Sequence, residues 1–382
     1  MGSMEAGRKY VLSIDGGGFR GLACLVMLNH LMEILNRDQD TTLLPCDVFD
    51  LICGTSTGGL IAILLGRLGL DCITAISIYK ELGSDLFGNS ANEKIVGKTA
   101  NAHPNFFDEK LAIIIERYSG AKDAPLKLPK ANNDKIHHKS TDIFVTTVHS
   151  ASTAGVDPHR LRSYMPHRHA VQSIPGHNWT VCEAAHAALA SPAYLQPFCI
   201  ESYSFQDASN SGAANPILES LSEVELRWGS QVEPVIISLG TGLVSFASIN
   251  PYLKYEPPRP TGGSPSLGKL KRMFKNNNKE KTQASAEALA KQLHRVAQDT
   301  ELLHQAACMR FQERDLSGNY FRLNPTAGLG DMNAFDAGKP AGSRIMSLTY
   351  SWLGSREGLD MTKRALGALR AKTDGQVRDF DY

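Results

Sequence analysis

Apolar residues fall along the chain in short dense runs and in longer helical stripes, and the two kinds take turns. Lys9 to Ile14 (KYVLSI) is a dense run that stops at Asp15, the signature of a short strand buried on both faces. Leu22, Leu25, Val26, Leu28, Leu31, Met32 and Leu35 follow at the three-and-four spacing of a helix. Val48 to Cys53 (VFDLIC) predicts a second strand, and Leu60 to Leu70 a strongly apolar helix behind it. Ile143 to Val148 and Val235 to Leu239 predict further buried strands. Val181 to Leu189, Ala284 to Arg310 and Leu359 to Lys372 carry helical patterns. Strands interleaved with helices predict an α/β fold, with a mainly parallel central sheet covered by helices on both faces.

Polar stretches punctuate this pattern. Ala91 to Asn105 and Ala121 to Lys139 read as loops, and residues 257–283, rich in Pro, Gly, Asn and Lys, as a basic surface insertion. The division predicted is a tag or flexible start over 1–7, one main domain over 8–354, and a C-terminal helix and tail over 355–382. Met1-Gly2-Ser3 before Met4 reads as a cloning remnant. No run approaches the roughly 18 consecutive apolar residues that span a bilayer, and the start lacks the order of a secretory signal.

Charge and cysteine content narrow the picture. A net charge of +1 excludes a nucleic-acid binder driven by bulk charge. The seven cysteines, with no C-x-x-C pair, predict free thiols in a reducing compartment and no metal site. The expected location is cytoplasmic.

Two glycine turns follow the first two strands. The first, DGGGFRG, contains G-x-G-x-x-G (Gly16, Gly18, Gly21) where a dinucleotide loop would stand. A dinucleotide fold needs an acid at the end of the next strand. Here that strand ends in Cys53, with Asp50 inside it. A phosphate-binding P-loop needs Gly-Lys-Ser/Thr, which is absent. No nucleotide cofactor is therefore expected. The second turn, GTSTGG, contains G-x-S-x-G: Gly54 and Gly58 leave room for a sharp bend from which Ser56 projects at a helix N-terminus. Beside such a serine, the backbone N–H groups of Gly16, Gly17 and Gly18, with Arg20 in support, suit an oxyanion hole.

Serine needs a base. His149, His177, His186, His294 and His304 follow it, but none stands in a strand-end glycine loop, and His186 falls inside a helical run. Asp207, in SFQDASNSGAANP, opens a small-residue loop that lets a carboxylate approach another backbone closely. A Ser56–Asp207 dyad is the stronger reading.

DGGGFRG, then GTSTGG about forty residues on, then Asp207, together resemble the patatin-like phospholipases. EAAHAALASPAYLQPF (Glu183 to Phe198) is similar to the family's Ala-rich helix and Ser-Ala-Pro turn, and IISLGTG (Ile236 to Gly242) to its later glycine turn. LRSYMP and YFRLNPTAGLGDMN are similar to stretches of fungal-type members. One departure is Asp207-Ala208-Ser209, where the family shows Asp-Gly-Gly or Asp-Gly-Ala.

The resemblance implies the patatin-like/cytosolic phospholipase catalytic fold. It also implies a lipid acyl hydrolase with Ser56 as nucleophile and Asp207 as general base, acting through an acyl-enzyme on phospholipids or other acyl glycerolipids, with no metal or other cofactor. A cytoplasmic protein peripheral on membranes would make that contact through Lys269, Lys271, Arg272, Lys275, Lys279 and Lys281, interleaved with Leu267, Leu270, Met273 and Phe274; a solvated loop is the equal alternative for this stretch. Two alternatives stay open: a conditionally active or non-catalytic signalling module of a larger receptor, and an acyltransferase using the same dyad.

Overall fold

The structure, a computed structural model, describes residues 7–87, 104–127, 140–149, 158–167, 174, 176–191, 195–244 and 299–378. The basic stretch at 257–283, His294 and the first half of the helix predicted from Ala284 lie outside them.

Eight strands form one sheet. They are β1 (Arg8–Ile14), β2 (Leu51–Thr55), β3 (Asp142–His149), β4 (His159–Arg162), β5 (Phe198–Ile200), β6 (Tyr203–Asp207), β7 (Glu233–Leu239) and β8 (Tyr320–Leu323). The order β5-β6-β3-β2-β1-β7-β8, with β4 also on β3, is parallel from β3 to β8 and antiparallel at the β4, β5 and β6 edge. The predicted mainly parallel sheet is therefore present, with an antiparallel edge that periodicity did not reveal.

Strand alternation sorts the core into two layers. Leu12 and Ile14 face α1 (Leu22–Leu35), α2 (Thr57–Ala62), α3 (Cys72–Phe87), α4 (Pro104–Ser119) and α5 (Val181–Leu189). Val11, Leu51 and Ile236 face α6 (Ile217–Trp228) and α7 (Glu301–Glu313). Helices α8 (Lys339–Leu353) and α9 (Arg356–Arg378) complete the first layer, and Lys372 of α9 donates to the Val48 carbonyl.

Helix α1 has the bounds its stripe predicts. Together with the turn before it, Gly18–Leu35 is long and apolar enough to cross a membrane, yet most of it is buried inside the fold. Each large side chain so buried contributes roughly 1.5–3 kcal/mol, which accounts for the apolar length without a bilayer. Two boundaries moved. The VFDLIC segment splits into a helical turn, Pro45–Val48, and β2; the next helix starts at Thr57 and widens into a π turn at Ile63–Arg67. All seven cysteines are free, four of them buried.

Candidate active site

The turn after β2 is tight for a steric reason. A Cβ on Gly54 would overlap the Gly58 carbonyl, and one on Gly58 would overlap the Ile14 carbonyl at the end of β1. Glycine at both positions lets the first turn of α2 cross strand and sheet at backbone contact. Between them Ser56 takes φ 55° and ψ −126°, a region that side chains enter only under strain, at about 1–3 kcal/mol.

Sheet register brings the acid to the serine. Thr55 pairs with Thr146, and the next residue of β3, Thr147, pairs with Asp207. Because β4 pairs with the other edge of Thr146 and Thr147, β6 takes over the side of β3 that β2 leaves, and Ser56 and Asp207 meet end to end there. The Ser56 hydroxyl donates to Asp207 Oδ2 at 2.6 Å, and both residues are almost fully buried. The other carboxylate oxygen, Oδ1, accepts the Ser209 backbone N–H at 2.8 Å. Asp207's own N–H donates to the Ala190 carbonyl. One oxygen of the acid is thereby fixed by backbone and the other is committed to the serine.

The glycine turn after β1 lies alongside. Residues 16 to 18 have no side chains, so their orientation comes from outside. Thr241 Oγ1 donates to the Gly16 carbonyl, Arg20 Nε to that of Gly17 and Tyr79 Oη to that of Gly18. The Gly16 N–H is spent on the Ala214 carbonyl and that of Phe19 on Ala334. Among the described residues the N–H groups of Gly17 and Gly18 have no acceptor. The sequence nominated three glycine donors; the fold leaves two of them open. Gly18 sits at φ 60°, and a Cβ there would overlap the Ala334 carbonyl. Arg20 also donates to the Gly330 carbonyl at 2.6 Å, so it clamps the loop.

Asp15, the last residue before the glycines, is fully buried and takes both ends of the Arg322 guanidinium, at 2.9 and 2.6 Å. Burial pushes its carboxyl up to about 6, with Glu301 adding to the rise and Arg322 limiting it. At neutral pH the pair is ionised. For Arg322, burial opposes the charge, but Asp15 more than offsets it and the guanidinium is held above its ordinary value.

The histidines are occupied elsewhere. His186 bonds to Asp108 Oδ2 at 3.0 Å and to the Gln196 carbonyl, His177 faces Glu183, and His304 meets Tyr320 Oη. His149 packs edge-on against Tyr203 and Phe205. None of these four bonds to Ser56. No group of three or more His, Cys, Asp or Glu that could hold a metal occurs among the described residues.

With this geometry in place, comparison with known proteins decides the ancestry. A family model described as patatin-like phospholipase matches residues 12–219, more than half of the chain. The chain belongs to the patatin-like phospholipase family. Rabbit calcium-independent phospholipase A2-gamma is 29% identical over 236 residues, 61% of this chain and 28% of the rabbit protein. Phospholipase A I of Arabidopsis thaliana is 26% identical over 278 residues, 61% of this chain and 21% of that protein. Patatin-like protein 2 of the same plant is 27% identical over 264 residues, covering 61% and 59%. The chain thus spans under a third of the length of the mammalian relative.

Within this patatin-like site, sequence reasoning named Ser56, Asp207, the three glycines, Arg20, Gly54 and Gly58, and the fold brings all of them to one end of the parallel strands. It missed Asp15, Tyr79, Thr241 and Arg322. For the ion pair a signal existed: Arg322 is the one charge of β8, Asp15 ends the mostly apolar run from Tyr10, and a buried charge needs a partner.

Proposed function

We propose that this patatin-like chain is a lipid acyl hydrolase that cleaves fatty acyl esters of phospholipids or related acyl glycerolipids through a Ser56–Asp207 dyad. The observation that carries the reading is the 2.6 Å bond from a strained serine hydroxyl to a buried carboxylate whose other oxygen is already occupied.

In the proposed cycle Asp207 takes the Ser56 proton as Oγ bonds to the ester carbonyl carbon. The negative charge on the former carbonyl oxygen faces the Gly17 and Gly18 amides. The tetrahedral intermediate collapses, the C–O bond to the glycerolipid breaks, and Asp207 returns the proton to the departing alkoxide. Water then attacks the acyl-serine, giving up a proton to Asp207; the second tetrahedral intermediate breaks its bond to Oγ, Asp207 returns that proton to Ser56, and the fatty acid is released. The substrate class follows from relatives that are themselves named phospholipases, and an insoluble lipid substrate implies peripheral contact with its surface.

The Asp207-Ala208-Ser209 departure favours no inactive module. Ala208 is buried without strain, and the Ser209 N–H makes the turn's bond to Asp207.

The test is labelling by a fluorophosphonate together with product analysis on phospholipid vesicles. Wild type should be labelled and should release fatty acid. Ser56→Ala should lose both, and Asp207→Asn should lose turnover comparably, because nucleophile and base act as a unit. Labelling of Ser56→Ala would place the nucleophile elsewhere. Transfer of the acyl group to an added lipid alcohol rather than to water would make the chain an acyltransferase.

A further inference from the structure

We propose that Arg322 is a positioning residue: through its paired bonds to Asp15 it sets where the Gly17 and Gly18 amides stand relative to the Ser56 hydroxyl. The inference rests on the dyad reading above and extends it to β8, far outside the span 12–219 that defines the family match.

Three consecutive glycines offer no side chain by which to aim a loop. The handles must lie at its ends. At the exit, Arg20 folds back onto Gly17 and Gly330. At the entry the handle is Asp15, whose N–H holds the Leu239 carbonyl of β7 while its side chain is gripped at both oxygens by Arg322. A bidentate guanidinium–carboxylate pair fixes both the position and the plane of the acid, and the peptide leading into Gly16 turns with it.

Arg322 reaches Asp15 from two strands away, across β7, where it donates to Ser238 Oγ at 3.0 Å. From the far side α7 holds it with Thr300 Oγ1 at 3.1 Å and Glu301 Oε1 at 3.4 Å. Glu301 also accepts from Asn324, and the Asn324 carbonyl oxygen receives the N–H of Gly242, next to the Thr241 that holds Gly16. One network thus ties the tips of β1, β7 and β8 to the glycine loop. Its guanidinium is shaped to Asp15 at its own expense, for Arg322 Nε is buried with no acceptor among the described residues. Placing a charged pair in this buried strand end needs a return that apolar packing would not give. Here the return is the alignment of two amides.

Displacing catalytic groups by about an ångström lowers turnover on the order of 10²-fold. The experiment measures kcat and KM for a soluble ester, and the rate of fluorophosphonate labelling, on Arg322→Gln, Arg322→Lys, Asp15→Asn and the Asp15→Asn/Arg322→Gln double variant, each checked for folding by its melting curve. Arg322→Gln should lose roughly 10- to 100-fold in kcat and in labelling rate, with KM within about twofold. Lysine should recover part of the loss, and the double variant should be no worse than the poorer single one, since the two residues act as one element. A folded Arg322→Gln with wild-type kcat, or a loss carried by KM, would overturn the proposal. If Arg322→Gln does not fold, Glu301→Gln, at the half-buried rim of the network, decides: a several-fold fall in kcat at constant KM supports the proposal, and no change ends it. Failure of the dyad itself looks different, because wild type would then be inactive or Ser56→Ala active.

Discussion

Among the described residues two buried arginine–carboxylate pairs anchor on strands of this sheet, and the fold treats them oppositely. Arg162 of β4 grips Glu223 of α6 with two bonds of 2.7 Å, as tight as the grip of Arg322 on Asp15. Glu223 has further company: Tyr164 Oη donates to it at 2.8 Å, and Arg160 stands 3.4 Å away. Burial would raise its carboxyl, but Arg162, Tyr164 and Arg160 outweigh burial and hold it below the ordinary 4.5. Asp15 is buried more deeply, has one cation, and faces the charge of Glu301, so it ends near 6. A pair built for stability surrounds its acid with donors. The pair at the glycine loop leaves its acid under-supplied, and what it gains is geometry.

The largest expected effect breaks the Glu223 side. Glu223→Gln leaves Arg162 buried without its counter-charge and should cost about 3–5 kcal/mol of stability at pH 7, while turnover per folded molecule stays at the wild-type level. An acid held below its unfolded value contributes stability in full above pH 4.5 and loses it as pH falls through the folded value. The gap in denaturant midpoint between wild type and Glu223→Gln should therefore close below pH 4.5. A constant gap would mean that packing, not charge, holds this corner.

On the loop side the measure is rate. Gly18→Ala puts a Cβ at φ 60° against the Ala334 carbonyl, and turnover of a soluble ester should fall roughly 10²–10³-fold, as for one lost oxyanion donor. Near-normal kcat in a folded Gly18→Ala would remove the loop from the chemistry.

Tyr164→Phe sharpens the contrast by removing a single donor from Glu223. A hydrogen bond to a charged group contributes roughly 1.5–3 kcal/mol, so urea unfolding should show a loss of that size, with kcat untouched.

The smallest effect concerns acid. Arg322, Glu301, Tyr320 and the Cys24 thiol are the groups that face Asp15. A carboxyl at about 6 in the fold and 3.8 in the unfolded chain takes its proton in the fold first. Acidification from pH 6 to 4 therefore favours the folded state at this site, opposite in sign to Glu223, while it releases the bidentate grip. The pH–rate profile on a soluble ester should carry a several-fold step near pH 6 that Asp15→Asn lacks. Identical acid limbs would separate Asp15 from turnover.

Much of this site is legible in the sequence. The apolar density of KYVLSI and the stripe from Leu22 to Leu35 are local signals, and so are the paired glycines of GTSTGG, because each element declares itself within a few residues. The antiparallel edge did not declare itself: β5 is three residues long, half-exposed, and defined by pairing with β6. Helix Pro104–Ser119 went unassigned between two polar stretches, although Leu111, Ile114 and Ile115 bury one face. The division of labour among the glycines was equally hidden. Gly16 loses its N–H to the Ala214 carbonyl, and Asp15 meets a partner 307 positions away. Contacts of that range follow from sheet order, which strand periodicity alone does not specify.

Ser56 at φ 55° carries one more consequence. Glycine would occupy that backbone without the strain of about 1–3 kcal/mol, against roughly 0.5–1 kcal/mol for its extra freedom when unfolded. Ser56→Gly should thus melt no lower than wild type, and by this arithmetic higher, while hydrolysing nothing. Laboratory evolution for heat tolerance alone would drift toward glycine at 56. On the proposed function, only a selection that counts released fatty acid would keep the serine in place.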